Sequence, residues 1–226
     1  MFLPFTKNPC RYIIRTVFGK SNPSLTDNPR EARQQETREA ILSAALLLIH
    51  EKGVNKLSLR EIARRIEYSP AGLYEYFDSK AEIIQAVRLR ALTHFYQALA
   101  NVPSTLSYPE SMVQLGMAYI NFARQYPQEF LLLFTHLRGE IEETAAETKM
   151  SQNSYRQLSD AVQRAVDEGL IHTQSDFLTT EAAFSFWALV HGIAMLQVSY
   201  QREFELGIDN TSQIAIRALA KGLMTG

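Results

Sequence analysis

The chain has 226 residues, of which 46% are hydrophobic and 21% charged, with a formal net charge of −1; such a composition supplies a buried core and is ordinary for a globular protein. A single cysteine, Cys10, excludes an internal disulfide and a cysteine-based zinc site and fits a reducing cytoplasm. No run of about 18 uncharged apolar residues stands out as a membrane span, and the charge is polarised: residues 28–101 carry eleven Lys/Arg against nine Asp/Glu, residues 102–226 eight against fourteen.

Residues 1–27 lack a helical or strand period. Lys7, Arg11, Arg15 and Lys20 alternate with aromatic and aliphatic residues, giving this leader a balance of +3. There is neither the apolar run nor the small-residue cleavage site of a secretory signal. The leading expectation is a poorly ordered leader, of the kind an early start codon would add. A basic arm on the DNA backbone or minor groove, and a segment docked on the body, stay open beside it.

A first helix is expected to open at Asn28, with Pro29 and Glu31 as its N-terminal signature, and to stop at Gly53. Ala40, Ile41, Ala44, Ala45, Leu48 and Ile49 supply its apolar stripe. The stretch at 57–80, LSLREIARRIEYSPAGLYEYFDSK, then contains three helix starts. Ser58 with Glu61 reads as a capping box, with Leu57 and Ile62 as its hydrophobic staple. Ser69 is a favourable N-cap and Pro70 suits the first helical position, where no N–H is needed. Ser79 with Glu82 forms a third start, opening a helix at 80–100. Two short helices across a tight turn make a helix-turn-helix, whose second helix can enter the major groove of DNA.

The second of those helices, at 70–76, is short and small at its front. Small residues there let the backbone approach a phosphate or base edge, and its N–H groups attract phosphate. Tyr74, Tyr76 and Lys80 add hydroxyl and ammonium donors, with Tyr74 and Tyr76 expected to face solvent or DNA. Leu73 and Phe77 are expected in the core. The plain alternative is that the aromatic residues only pack against the first helix.

The residues in order add more. Ser58-x-Arg60-x-Ile62-Ala63, followed by Ser69-Pro70-Ala71-Gly72-Leu73-Tyr74-x-Tyr76-Phe77-x-Ser79-Lys80-x-x-Ile83, closely resembles the DNA-binding domain of the TetR family of bacterial transcriptional regulators. The likeness continues back without a gap through ETREAILSAALLLIHEKGVNKLSL. It implies a DNA-contacting set of Ser58, Arg60, Ser69, Pro70, Ala71, Gly72, Tyr74, Tyr76 and Lys80. One departure stands out: the family usually has Gly in the turn, where this chain has Glu67. A left-handed conformation costs a non-Gly residue roughly 1 kcal/mol, which points to a differently shaped turn.

The long helix at 80–100 carries Ile83, Ile84, Val87, Leu92, Phe95 and Leu99, with His94 among them as a structural side chain rather than a ligand. A linker at 101–109 marks the domain boundary. Helices are expected at 109–126 and 127–134, then a loose charged segment to 150 in which GEIEETAAETK is a solvated acidic face. Further helices are expected at 151–168, 176–200 and 209–224. The 176–200 helix is apolar almost all round, so both of its faces need cover. Its Phe186-Trp187-Ala188-Leu189-Val190-His191-Gly192 resembles the tryptophan–histidine–glycine signature of one TetR C-terminal subclass.

Catalytic patterns are lacking: there is no Gly-rich phosphate loop, no G-x-S-x-G and no HExxH. His136 and Glu140 are too few to hold a metal. The expected architecture is all-α, with a helix-turn-helix domain at 28–101 and a ligand-binding and dimerisation bundle at 102–226. No enzyme activity, cofactor, metal or membrane association is expected.

The resemblance implies a cytoplasmic homodimer that binds double-stranded palindromic operator DNA and represses until a small-molecule effector releases it. An activator, a corepressor-dependent regulator, and a helical small-molecule-binding module without DNA binding are the alternatives. The surplus of aromatic residues with isolated polar groups points to an effector cavity lined by Phe122, Phe130, Phe134, Trp187, His191 and Met195, against the plain reading of these as core. The helices at 176–200 and 209–224 are expected to pair with their copies in a four-helix bundle. Val190 is expected at its centre, and Ile214, Ile216, Ala218, Leu219 and Leu223 contribute from the last helix.

Overall fold

The computed structural model describes residues 28–136, 144–171, 179–200 and 208–224; the leader at 1–27 lies outside them. The chain forms two compact units, one ending at Val87 and the other beginning at Arg88. Among the described residues the architecture is all-α, and the one extended pairing is an isolated bridge between Ile171 and Met224.

In the first unit, α1 (Pro29–Lys52) starts where the sequence indicates. The Asn28 side chain accepts from the Arg30 N–H at 3.0 Å, and Gly53, at φ +83°, ends the helix. A 3₁₀ turn, Val54–Lys56, leads to α2 (Leu59–Arg65). Leu57 and Ile62 are buried on either side of its start, as a staple requires, but the expected capping box is not formed. Ser58 makes no capping bond and Glu61 pairs with Lys52 at the end of α1. A carboxylate gains more from an ammonium than from a neutral N–H.

The turn after α2 also departs from expectation. Glu67 adopts φ +59°, the left-handed conformation itself. Tyr68 N–H donates to Ala63 C=O at 2.8 Å and Glu67 N–H to Arg64 C=O at 3.4 Å. These are the two bonds of a Schellman motif, which places a left-handed residue directly after the helix. The turn keeps that shape with Glu in place of Gly. Beyond the turn, the second helix of the motif is a single 3₁₀ turn, Gly72–Glu75, rather than an α-helix, and Ser69 Oγ accepts from the Gly72 N–H at 2.9 Å. Helix α3 (Lys80–Ala100) opens on Ser79, whose hydroxyl accepts from Glu82 N–H at 3.1 Å, while the Glu82 carboxylate reaches back to Asp78 N–H at 2.6 Å.

The second unit takes the rest of α3, then α4 (Glu110–Gln125), α5 (Pro127–Leu131) with a π turn at Leu132–His136, α6 (Ala145–Asp167), α7 (Thr179–Ser199) and α8 (Ile208–Gly222). The hub is α4, which packs chiefly on α7 and α8. Tyr108 helps fix that arrangement by donating its hydroxyl to the Ala220 carbonyl, and burial pushes its phenol up to about 12.

Helix α6 begins well before the expected 151. Thr144 and Glu147 form a complete capping box inside the segment read as a solvated acidic face. Glu147 is only 1% exposed. That expectation fails because this carboxylate has a partner, Arg88 Nε, at 3.0 Å. Helix α7 overturns a second one, since by length and composition it is apolar enough to cross a membrane. It packs instead against α4, α6 and α8.

Candidate functional site

Two places in the chain gather the candidate residues. In the first unit, Arg60, Ser69, Pro70, Ala71 and Tyr74 are exposed, Tyr74 at 57%. Ser58, Tyr76 and Lys80 are half-buried, and Gly72 is buried. Lys80 Nζ donates to the Asn55 carbonyl at 3.1 Å, tying the start of α3 to the 3₁₀ turn after α1. The Tyr76 ring meets that of Tyr68 edge-on at 6.2 Å between centroids, so it is less outward-facing than expected. A Cβ on Gly72 would lie 2.5 Å from Tyr68 Cε1, so the missing side chain makes room for that ring.

Leu73 and Phe77 are buried beneath this surface. Sequence reasoning passed over what holds them. Arg38 on α1 lies 4.3 Å above the Phe77 ring and donates to the Tyr76 carbonyl at 3.3 Å. Its position one turn before the apolar stripe of α1 carries no motif. Nearby, Arg65 binds Glu51 with both nitrogens, at 3.0 and 2.8 Å, and this pairing lowers the Glu51 carboxyl below its ordinary range.

In the second unit lies a cavity of about 460 Å³ between α3, α4, α6 and α7. Of the six residues expected to line it, Phe134, Trp187 and His191 do. Phe130 stands behind them, its ring 5.0 Å from Phe134 and 5.7 Å from His191, and Phe122 packs against Phe95 at 5.1 Å. Both are fully buried in the core and outside the lining. Met195, one turn past His191, is half-buried against that core and also outside the lining.

The lining contains residues the sequence did not mark, among them Arg88, Phe95, Tyr119, Ser151, Ser154 and Phe186. A signal for one existed: Arg88 precedes Leu92, Phe95 and Leu99 at helical steps, a lone cation on an apolar stripe. Tyr119 Oη lies 2.8 Å from His191 Nδ1. Burial raises the Tyr119 phenol far above its ordinary value, opposed by a hydrogen bond from the Trp187 indole. Burial also lowers His191, favouring the neutral ring. Tyr119 and His191 therefore form a hydrogen-bonded pair without formal charge on the cavity wall.

Val190 also lines the cavity and is 5% exposed, which removes it from the expected subunit interface. Ile216 is likewise fully buried in its own unit. The large exposed apolar residues described on these helices are Phe184 and Leu196 on α7, the latter 51% exposed, and Ile214 on α8. His94 is engaged by Glu129 at 2.8 Å and stacks on Tyr126. Among the described residues no three His, Cys, Asp or Glu side chains gather as a metal-binding group. Glu140, expected beside His136, lies outside the described residues.

Comparison with known proteins agrees with this anatomy. Residues 41–87 match the model of the bacterial regulatory proteins of the tetR family, and residues 112–219 that of the tetracyclin repressor-like C-terminal domain. The uncharacterized HTH-type transcriptional regulator YobS of Bacillus subtilis is 25% identical over 190 residues, covering 83% of this chain and 93% of its own. Among solved structures, a TetR family transcription regulator from Marinobacter aquaeolei VT8 has the same fold, with a TM-score of 0.70 at 18% identity over 87% of this chain and all of its own. A bacterial regulatory protein of the tetR family from Rhodococcus RHA1 gives 0.71 at 14% identity over 84% of this chain and 98% of its own. With a family model matched in each half, the chain belongs to the TetR family and is a helix-turn-helix transcriptional regulator rather than an enzyme.

Proposed function

We propose that this regulator is a cytoplasmic repressor that binds a palindromic operator as a homodimer and leaves it when a small molecule occupies the cavity of the second unit. The observation that carries the reading is that cavity: about 460 Å³, walled by aromatic and aliphatic side chains, with a few oriented polar groups. Ligand sites have this size and composition. The sequence Trp187-Ala188-Leu189-Val190-His191-Gly192 would place the body in the tryptophan–histidine–glycine subclass.

The front edge from Pro70 to Tyr74 is suited to the groove, with Tyr76 and Lys80 on the phosphates, Arg60 steadying α2 against the DNA backbone, and Ser58 and Ser69 beside them. The exposed apolar residues Phe184, Leu196 and Ile214 support pairing of α7 and α8 with their copies across a two-fold axis. Such a dimer places two reading heads roughly 34–36 Å apart, or a multiple of that, to meet successive major grooves. The ligand shifts the balance only through unequal affinity for the DNA-competent and DNA-free states.

A gel shift on the gene's own upstream region, run as a salt series, tests the DNA half. Lys80→Ala should weaken binding to all sequences and flatten the salt slope by about one unit. Loss confined to the operator, with non-specific affinity unchanged, counts against Lys80 as a phosphate anchor. Sedimentation tests the assembly half: Leu196→Glu should give monomers with collapsed operator affinity. A wild-type protein that sediments as a monomer at micromolar concentration ends the dimer reading.

A further inference from the structure

The polar and apolar parts of the cavity wall are ordered along two helices. On α3, Arg88 is followed by Leu92, Phe95 and Leu99 on the same side, a span of roughly 16 Å at the helical rise. On α6, Ser151 and Ser154 line the cavity one and two turns after Glu147, which faces Arg88 at 3.0 Å. The wall therefore has a charged and hydroxyl-bearing end and a long apolar stretch.

Among the described lining residues Arg88 is the one formally charged group, and it is 6% exposed. Glu147 offsets its charge from behind and is itself anchored by the Thr144 N–H and hydroxyl at 2.7 and 2.8 Å. Tyr119 and His191 add hydrogen bonding without charge. Among the described residues the Arg88 charge is thus met by that of Glu147 before any ligand enters. A carboxylate at the Arg88 end would be a second anion beside Glu147, and an ammonium would face a guanidinium. Either leaves a buried charge without its own counter-charge, which low-dielectric surroundings penalise heavily. A guanidinium has N–H donors and no acceptor, so the group set against it must accept.

We propose that this cavity takes an uncharged, elongated, mainly apolar molecule ending in a hydrogen-bond acceptor such as an amide or ester carbonyl, seated against Arg88, with Glu147 setting the selection against acids. The inference rests on the cavity being the effector site.

Three probes that differ in their end group test it: phenylbutyramide, phenylbutyrate and phenylbutylamine, titrated into the full-length protein. Binding is read from Trp187 emission and from the shift in thermal unfolding, and operator release is followed in parallel. The amide should bind on the order of tenfold tighter than either ion. Glu147→Gln keeps a side chain that can complete the capping box and should make the carboxylate the preferred probe, with a thermal transition showing that the variant is folded. The wild-type ranking needs no variant. Preference for the acid or the amine in the wild type, an unchanged ranking in folded E147Q, or no saturable response to any of the three overturns the proposal. An amide that binds yet leaves the operator occupied refutes release by ligand and leaves the cavity's selectivity standing. An acid that binds best and frees the operator does the reverse.

Discussion

Gly72 in the reading head and Gly116 in the body are both crowded glycines, and the crowding differs in kind. A Cβ on Gly72 would lie 2.5 Å from Tyr68 Cε1, the far side of a ring that is itself exposed and able to swing away. A Cβ on Gly116 would lie 2.6 Å from Ile216 Cδ1 and 3.0 Å from Val190 Cγ1, two side chains locked in the core. The head is shaped by short-range backbone bonds and a surface that can adjust. The body is shaped by contacts between residues far apart in sequence, with little room to yield. Substitutions should therefore be absorbed in the head and felt in the body.

The largest expected effect is on the buried ion pair of the body. Arg88→Met would leave Glu147 buried with no guanidinium, a loss of about 3–5 kcal/mol for a partner removed from such a pair. Replacing both, as Arg88→Met with Glu147→Leu, should recover most of the loss because no charge then stays buried, less whatever the lost α6 cap contributes. Urea unfolding of the three proteins measures this. The corresponding break in the head, Lys52→Ala against Glu61, should cost about 0.2–1 kcal/mol, as exposed pairs do. Equal losses in the two regions would erase the contrast.

That contrast also explains what the sequence could and could not show. In the head, the informative residues are neighbours: Asn28 with Pro29, Ser69 with Pro70 and Gly72, Ser79 with Glu82. Each local pattern forecasts a local hydrogen bond, and most of those bonds form. Glu61 shows the limit, because a cation from another helix outcompeted its own N-cap. In the body, periodicity located the helices but not their partners. Phe130, Phe134 and His191 look alike as aromatic residues on apolar faces, and only tertiary packing decides which of them meets the cavity. Glu147 read as solvated because Arg88 is far away in sequence. Val190 read as interface because α7 is apolar on every side and its pattern gives no direction.

The next effect down pairs the two glycines. Gly116→Ala should destabilise the protein, since overpacking costs about 1–3 kcal/mol and exceeds the gain of about 1 kcal/mol from better helix propensity. Ile216→Val removes the methyl that Ala would meet, so it should relieve the strain when combined with Gly116→Ala in a double-mutant cycle. Gly72→Ala should need a rotation of Tyr68 and a small shift of Ser69 Oγ, 3.1 Å from the new Cβ, with a stability change inside about 1 kcal/mol. Its consequence should fall on operator affinity, because Tyr68 packs edge-on against Tyr76, a proposed phosphate contact. A Gly116→Ala protein as stable as wild type would show that the body yields as readily as the head.

The smallest effect concerns Glu67, where the head departs from its family's usual glycine. The left-handed φ of +59° costs a residue with a Cβ about 1–2 kcal/mol. Glycine relieves that strain but brings more freedom to the unfolded chain, worth about 0.4–1 kcal/mol in the opposite direction. Glu67→Gly should therefore leave stability unchanged or raise it by up to about 1.5 kcal/mol, the difference between these two terms. The Schellman bonds from Tyr68 to Ala63 and from Glu67 to Arg64 come from the backbone, so glycine keeps both. Because the turn already has the left-handed shape, operator affinity should stay where it is. Thermal unfolding and a gel shift on one preparation read both quantities. A stability gain accompanied by altered DNA affinity would mean that the Glu67 side chain acts on the reading surface. A stability loss would mean that this side chain contributes more to the fold than its backbone conformation costs.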